Sequence, residues 1–144
     1  MSNKIYTVDI LAHDEDENVL LIERAKAPFE DKFVLPGGHV ESGESFVCAA
    51  VRELFEEVCV QVAENRLRRL CVLDAPNRDP RPGQRVSHVF AVQVTREELE
   101  SARAQSDARS VESVKLSAIT PDMMGFDHYL AIEALRKELG HESD

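Results

Sequence analysis

Apolar and polar residues fall in short, distinct blocks along this chain. Residues 5–12 are mostly apolar and Val19-Leu20-Leu21-Ile22 is wholly so, with polar Asp14-Glu15-Asp16-Glu17-Asn18 between them. Two apolar runs across a polar turn predict a β-hairpin. Phe33-Val34-Leu35 is a shorter apolar segment, stopped by Pro36-Gly37-Gly38. Over residues 45–58 the period changes. Val47, Val51, Leu54 and Val58 fall on one face at helical spacing, which predicts a helix. Residues 67–73 and 85–94 read as strands, and residues 74–83, with three prolines, as the loop between them. Residues 96–107 are polar and suit a helix or a loop, and residues 111–119 form a weak strand candidate. Residues 127–139 predict a second amphipathic helix with Leu130, Ala134 and Leu135 on one side and Gly140 as its stop. Strands interleaved with helices predict an α/β or α+β chain with helices packed on a mixed sheet.

Length and charge narrow the picture. A chain of 144 residues suits one domain over 1–144 with a core that needs no staples. No apolar run approaches the ~18 residues of a membrane span, and Met1-Ser2-Asn3-Lys4 does not resemble the start of a signal peptide. Cys48, Cys59 and Cys71, 11 and 12 residues apart, lack metal-ligand spacing. Reduced thiols in the cytoplasm, used for small apolar packing, are the expectation. A net charge of −10 argues against a protein that grips nucleic acid through its phosphates. It leaves room for a phosphate substrate if a metal ion stands between the two.

At 100° per residue, Glu53, Glu56 and Glu57 occupy a second arc of the predicted helix, as neighbours at i, i+3 and i+4. Ala49 and Ala50 on that side leave space, and Arg52 is placed to reach Glu56. Three adjacent carboxylates repel one another. A fully solvated face tolerates this, and such a face is the commoner meaning of a Glu-rich helix. A hard cation such as Mg²⁺ or Mn²⁺ removes the repulsion outright and takes oxygen ligands. The upstream residues favour the second meaning. Gly38 is followed after five residues by Glu44, and seven more lead to Arg52-Glu53-Leu54, then Phe55, Glu56-Glu57, Val58, Cys59 and Val60.

This spacing resembles the Nudix box, G-x5-E-x7-R-E-U-x-E-E-x-G-U, where U is aliphatic. Every defined position is met except the second glycine, where Cys59 stands. Glycine there serves a left-handed turn after the helix, in which cysteine costs roughly 1 kcal/mol. The resemblance implies an α/β/α sandwich with a mixed sheet and a Mg²⁺-dependent pyrophosphohydrolase, with Mn²⁺ as an alternative ion. It assigns Glu53, Glu56, Glu57 and the carbonyl of Gly37 to the metal. It makes Glu44 the supporting loop carboxylate and Arg52 the residue that orients a glutamate. The base that takes a proton from the attacking water stays open: Glu53 within the box, or Asp107 or Glu112 beyond it, ahead of Glu97, Glu98 and Glu100.

Three further segments are similar to the ADP-ribose pyrophosphatase branch. They are Arg24-Ala25-Lys26-Ala27-Pro28-Phe29 leading into residues 33–38, Arg78-Asp79-Pro80-Arg81, and Gly125-Phe126-Asp127-His128. That branch often has tryptophan where Phe33 stands. Arg24, Phe29, Arg78 and Arg81 become the candidates for substrate binding, since guanidinium groups suit phosphate and ribose oxygens. The plainer meanings are a solvated turn at residues 78–81 and, at 126–128, a core Phe126, an N-cap Asp127 and a His128 without chemical role. The resemblance implies ADP-ribose cleaved to AMP and ribose 5-phosphate. The alternatives are a nucleoside triphosphate pyrophosphohydrolase and a non-catalytic ADP-ribose-binding module. The expected partner is a small nucleotide, with no nucleic acid or membrane, and relatives of this kind are often homodimers.

Overall fold

The computed structural model describes residues 4–105 and 108–141. Seven strands form one open mixed sheet: β1 (Lys4–His13), β2 (Asn18–Arg24), β3 (Phe33–Val34), β4 (Gly37–His39), β5 (Arg68–Leu73), β6 (Gln84–Gln93) and β7 (Ala108–Lys115). Three α-helices accompany it: α1 (Phe46–Val58), α2 (Arg96–Glu100) and α3 (Tyr129–Glu138). The central order is β3-β2-β1-β6-β5, with β4 joined to β1 and β7 to β2. β1 and β6 run parallel; the other pairs are antiparallel.

Each face of the sheet has its own apolar layer. Val8, Ile10, Leu20, Ile22, Phe90 and Val92 pack with Ala50, Leu54 and Val58 of α1 and Leu99 of α2. Leu11, Val19, Leu21 and Val89 pack with Ala131, Ile132 and Leu135 of α3. The result is the expected α/β/α sandwich. It also explains why residues 10–12 of β1 are an apolar run, since that part of the strand is covered on both faces and has no polar side to show.

The expected hairpin of β1 and β2 exists but stays closed only near its turn, at His13↔Val19. Asp14 holds that turn by accepting the backbone N–H groups of Asp16 and Asn18 at 3.0 and 2.8 Å. Beyond it the strands part, and segment 33–39 runs between them. Val34 pairs with Ile22 of β2, then Gly37, Gly38 and His39 pair with Asp9, Val8 and Thr7 of β1.

Both predicted helices bury part of the expected face, Leu54 and Val58 in α1 and Leu135 in α3, and differ in the rest. In α1 the buried residues are Ala49, Ala50, Glu53, Leu54 and Val58, while Val47 and Val51 are only partly covered. The alanines do not leave space beside the carboxylates; their small side chains let the helix lie close on the sheet. In α3, Ala131, Ile132 and Leu135 are buried and Leu130 is 51% exposed. The helix begins at Tyr129 rather than at 127, because Asp127 is engaged elsewhere. The polar stretch after β6 resolves into α2, opened by a capping box between Thr95 and Glu98. All three cysteines are free, but Cys48 is exposed and does not pack in the core. Among the described residues no helix is long and apolar enough to cross a membrane.

Ser45 caps α1 by accepting the N–H of Cys48 at 3.1 Å. Cys59 ends it at φ 64°, with its N–H on the carbonyl of Phe55 at 2.8 Å. The left-handed turn that glycine would serve is thus formed by cysteine, at the cost of Cβ crowding. Cys59→Gly is therefore expected to stabilise the protein by about 1 kcal/mol, as read from urea unfolding at unchanged slope.

Candidate functional site

An open cavity of about 490 Å³ lies where segment 33–39 crosses the sheet. One side is acidic and belongs to α1 and β4. An ideal Cβ on Gly38 would lie 2.1 Å from Glu53 Oε2, so the strand carries no side chain there and the carboxylate fills the place. Glu57 and both glycines line the cavity, Glu53 is buried behind Gly38, and Glu56 is exposed and not among the lining residues. Arg52 ties this side together. It donates to both oxygens of Glu44 at 2.8 and 2.9 Å, to Glu53 at 2.7 Å, to Glu56 at 2.9 Å and to the carbonyl of His39 at 3.0 Å. The Arg52 guanidinium beside Glu44 holds that carboxyl down at about 2. Burial pushes Glu53 up, against the pull of Arg52. A raised proton affinity suits a group that must accept a proton.

Glu53, Glu56 and Glu57 offer hard oxygen donors on one helix face, which suits Mg²⁺ or Mn²⁺ in type. Among the described residues, however, no three His, Cys, Asp or Glu side chains are gathered into a ready cage. Glu53 and Glu56 are instead drawn to the same Arg52 nitrogen. A cation here competes with Arg52 for them.

The other side of the cavity is basic. Arg24, Lys26, Arg78, Arg81 and Arg85 line it, against Asp9, Asp79 and Glu57 among the carboxylates. Arg81 is held by Asp79, which accepts its Nε and Nη2 at 2.9 and 2.6 Å and its backbone N–H at 2.9 Å. Residues 78–81 are therefore a braced wall and not a solvated turn. Arg24 donates Nε to the carbonyl of Pro28 at 2.6 Å. The guanidinium carbons of Arg24 and Arg81 each stand 5.3 Å from the centre of the Phe126 ring. Phe29 packs behind that ring at 4.7 Å and does not line the cavity itself.

The turn at 125–128 does more than start a helix. Asp127 is not the N-cap; it grips Arg78 through both oxygens, at 2.7 and 2.9 Å. Arg78 is thereby fixed, its side chain only 5% exposed. Phe126 backs two arginines. His128 is buried, accepts the N–H of Leu35 at Nδ1 at 3.1 Å, and places Nε2 3.5 Å from Asp9 Oδ2. Ser87 donates to the same Asp9 oxygen. Asp9 and Ser87 escaped the reading of the sequence, and the plainer reading of residues 126–128 gave His128 no chemical role. A signal was present for both Asp9 and Ser87, since Asp9 stands between apolar Val8 and Ile10 and Ser87 follows Val86, each buried in its strand. Arg85 also escaped the reading.

Of the candidate bases, Asp107 lies outside the described residues. Glu112 is exposed on β7 and does not line the cavity. Its register opposite Leu21 puts it on the α3 face, whereas Val111, opposite Ile22, faces the cavity side. Glu53 is the candidate base that the fold brings to the site.

The Glu44–Arg52 pair carries a pH signature. The folded carboxyl titrates at about 2 against its ordinary 4.5, so its stabilisation is complete above pH 4.5 and is lost as pH falls toward 2. Glu98, held at about 2 by Arg66, shares this window. Glu44→Gln is expected to lower stability at pH 7, with the gap to wild type closing as unfolding is measured at falling pH; a constant gap would show that the pair contributes no linkage.

The comparisons agree with this geometry. The NUDIX domain family pattern matches residues 4–139. An ADP-ribose pyrophosphatase of Methanocaldococcus jannaschii is 39% identical over 115 residues, covering 80% of this chain and 63% of that protein, so the chain spans less than two thirds of its relative's length. The NUDIX domain of Shewanella oneidensis NrtR, solved with ADP ribose, superimposes with a TM-score of 0.82 at 25% identity, covering 96% of this chain and 90% of that one. A bifunctional NMN adenylyltransferase/ADP ribose pyrophosphatase of Francisella tularensis, solved with AMP and a Mn ion, gives 0.79 at 29% identity over 97% of this chain and 43% of that one. With its box on α1, its sandwich fold and a match over nearly its whole length, the chain belongs to the NUDIX domain family.

Proposed function

We propose that the protein hydrolyses nucleoside diphosphates linked to another group, with ADP-ribose as substrate and AMP and ribose 5-phosphate as products. The observation that carries this reading is one cavity lined both by Glu57 of the acidic helix, with the glycines against Glu53, and by Arg24, Lys26, Arg78, Arg81 and Arg85. The acidic side suits a divalent cation and the basic side suits the anionic diphosphate that such a cation would engage. The names of the Methanocaldococcus, Shewanella and Francisella relatives support ADP-ribose as the first substrate to test.

Glu53, Glu56 and Glu57, with the carbonyl of Gly37, would hold Mg²⁺ or Mn²⁺. When bound, the ion neutralises developing phosphate charge and lowers the pKa of water. The chain's own groups do the rest. Arg81 and Arg24, steadied by Asp79, Pro28 and Phe126, orient the diphosphate oxygens. Water adds to one phosphorus as the bridging P–O bond breaks, and Glu53 takes the proton that water releases. Arg52 keeps Glu53 in place, and its bond to Glu56 is the one that a bound ion would have to replace.

Product release from ADP-ribose, dinucleotide diphosphates and nucleoside triphosphates, with Mg²⁺ and with EDTA, tests the reading. AMP formed from ADP-ribose only with the metal is expected. Turnover of triphosphates alone would overturn the substrate, and binding of ADP-ribose without turnover would make the chain a sensor. Glu56→Gln and Glu57→Gln are each expected to lower kcat more than about 100-fold, beyond what the loss of an outer supporting residue costs. Gly38→Ala should cost about 100-fold in kcat, with the circular dichroism of the wild type, because its Cβ displaces the Glu53 carboxylate.

A further inference from the structure

We infer that His128 is a positioning residue that fixes the backbone of the Gly37–Gly38 segment from beneath. The inference rests on the reading of that segment as part of a cation site, though its first test does not.

Between Val34, which closes β3, and Gly37, which opens β4, the chain passes from β2 to β1. The backbone groups of this crossing that fall outside both strand pairings include the N–H of Leu35 and the carbonyl of Pro36. Pro36 has no N–H to offer. The carbonyl is satisfied within the sheet, by the N–H of Ile10 at 2.9 Å. The Leu35 N–H is satisfied by a side chain, His128 Nδ1, at 3.1 Å in a buried setting. A buried N–H left without a partner is costly, so this bond fixes where the crossing sits.

The ring is itself constrained from the far side. Its Nδ1 accepts, so its proton sits on Nε2, which faces Asp9 Oδ2 at 3.5 Å. Asp9 is braced by Ser87, which is fully buried. The other Asp9 oxygen closes on Gly37, where an ideal Cβ would lie only 2.3 Å away. His128 and Asp9 thus clamp residues 35–37 from two directions. His128 makes no side-chain cap to its own helix, so its ring is not spent on α3. Its two predecessors hold the arginine wall, Asp127 through Arg78 and Phe126 against Arg24 and Arg81. One turn therefore sets the spacing between the acidic and basic sides.

The test compares His128→Ala, His128→Leu, which keeps the volume without an acceptor, and His128→Asn, whose Oδ1 replaces Nδ1. Amide hydrogen exchange in metal-free protein is the first readout. The Ala and Leu variants should exchange Leu35, Gly37 and Gly38 faster than wild type while the rest of β1 and β6 keeps its protection, and Asn should restore it. Unchanged exchange at Leu35, or acceleration spread evenly over the chain, overturns the inference. The second readout is Mn²⁺ binding, followed by the electron paramagnetic resonance of free Mn²⁺, with Glu56→Gln as control. The Ala and Leu variants should bind Mn²⁺ about tenfold more weakly, with kcat lowered and KM nearly unchanged. A raised KM at wild-type kcat and Mn²⁺ affinity would make His128 a direct substrate contact and overturn the positioning role. Local exchange at Leu35 in a protein whose wild type binds no Mn²⁺ would uphold the clamp and overturn the cation reading instead.

Discussion

The site depends on how closely Gly38 and Glu53 approach. β4 has room for a glycine at 38 because the carboxylate of Glu53 occupies the volume a side chain would need. That carboxylate is nearly buried, which is costly for a charge unless hydrogen bonds and an opposite charge compensate it. Arg52 supplies both, and reaches Glu44 and the carbonyl of His39 as well. The helix, the loop before it and the short strand β4 are thereby locked into one unit. The placement of Gly37 and Glu57 along the cavity follows from it.

The cost of this arrangement is carboxylate repulsion, and Arg52 only partly removes it. Its one nitrogen serves Glu53 and Glu56 together. The helix therefore carries negative charge beyond what one guanidinium cancels, at a cavity whose opposite wall is cationic. The separation of sign matters more than the chain's net charge of −10. The arginines that would meet an anion are collected at one place and braced by Asp79 and Asp127.

That bracing is uneven in a way that bears on function. Arg78 is buried and fully engaged by Asp127, so it acts as a strut. Arg81 is 42% exposed despite its carboxylate partner, and its guanidinium stands over Phe126. A group held in orientation yet open to solvent suits recognition of a phosphate or ribose oxygen better than a buried one. Both depend on the turn at 125–128, and so does the Leu35 crossing.

The sequence by itself determined the carboxylate helix and the family. These features rest on local spacing: i, i+3 and i+4 neighbours meet in any helix, whatever surrounds it. It also set the steric cost of cysteine in a left-handed exit at position 59, which a short-range rule governs, though not that the exit would form there. It did not determine which faces of α1 and α3 turn inward, because an apolar arc fixes a helix's rotation only to within a residue or so. Contact with the sheet chose Ala49 and Ala50 over Val47 and Val51, and Ile132 over Leu130, while Leu54, Val58 and Leu135 are buried as expected. Only tertiary structure decided the roles of Asp9, Ser87, Asp127 and His128. Each acts across 49 or more positions of chain, on Arg78, on Leu35 or on one another. No local rule can pair residues that far apart; the crossing of one short segment between two parted strands does.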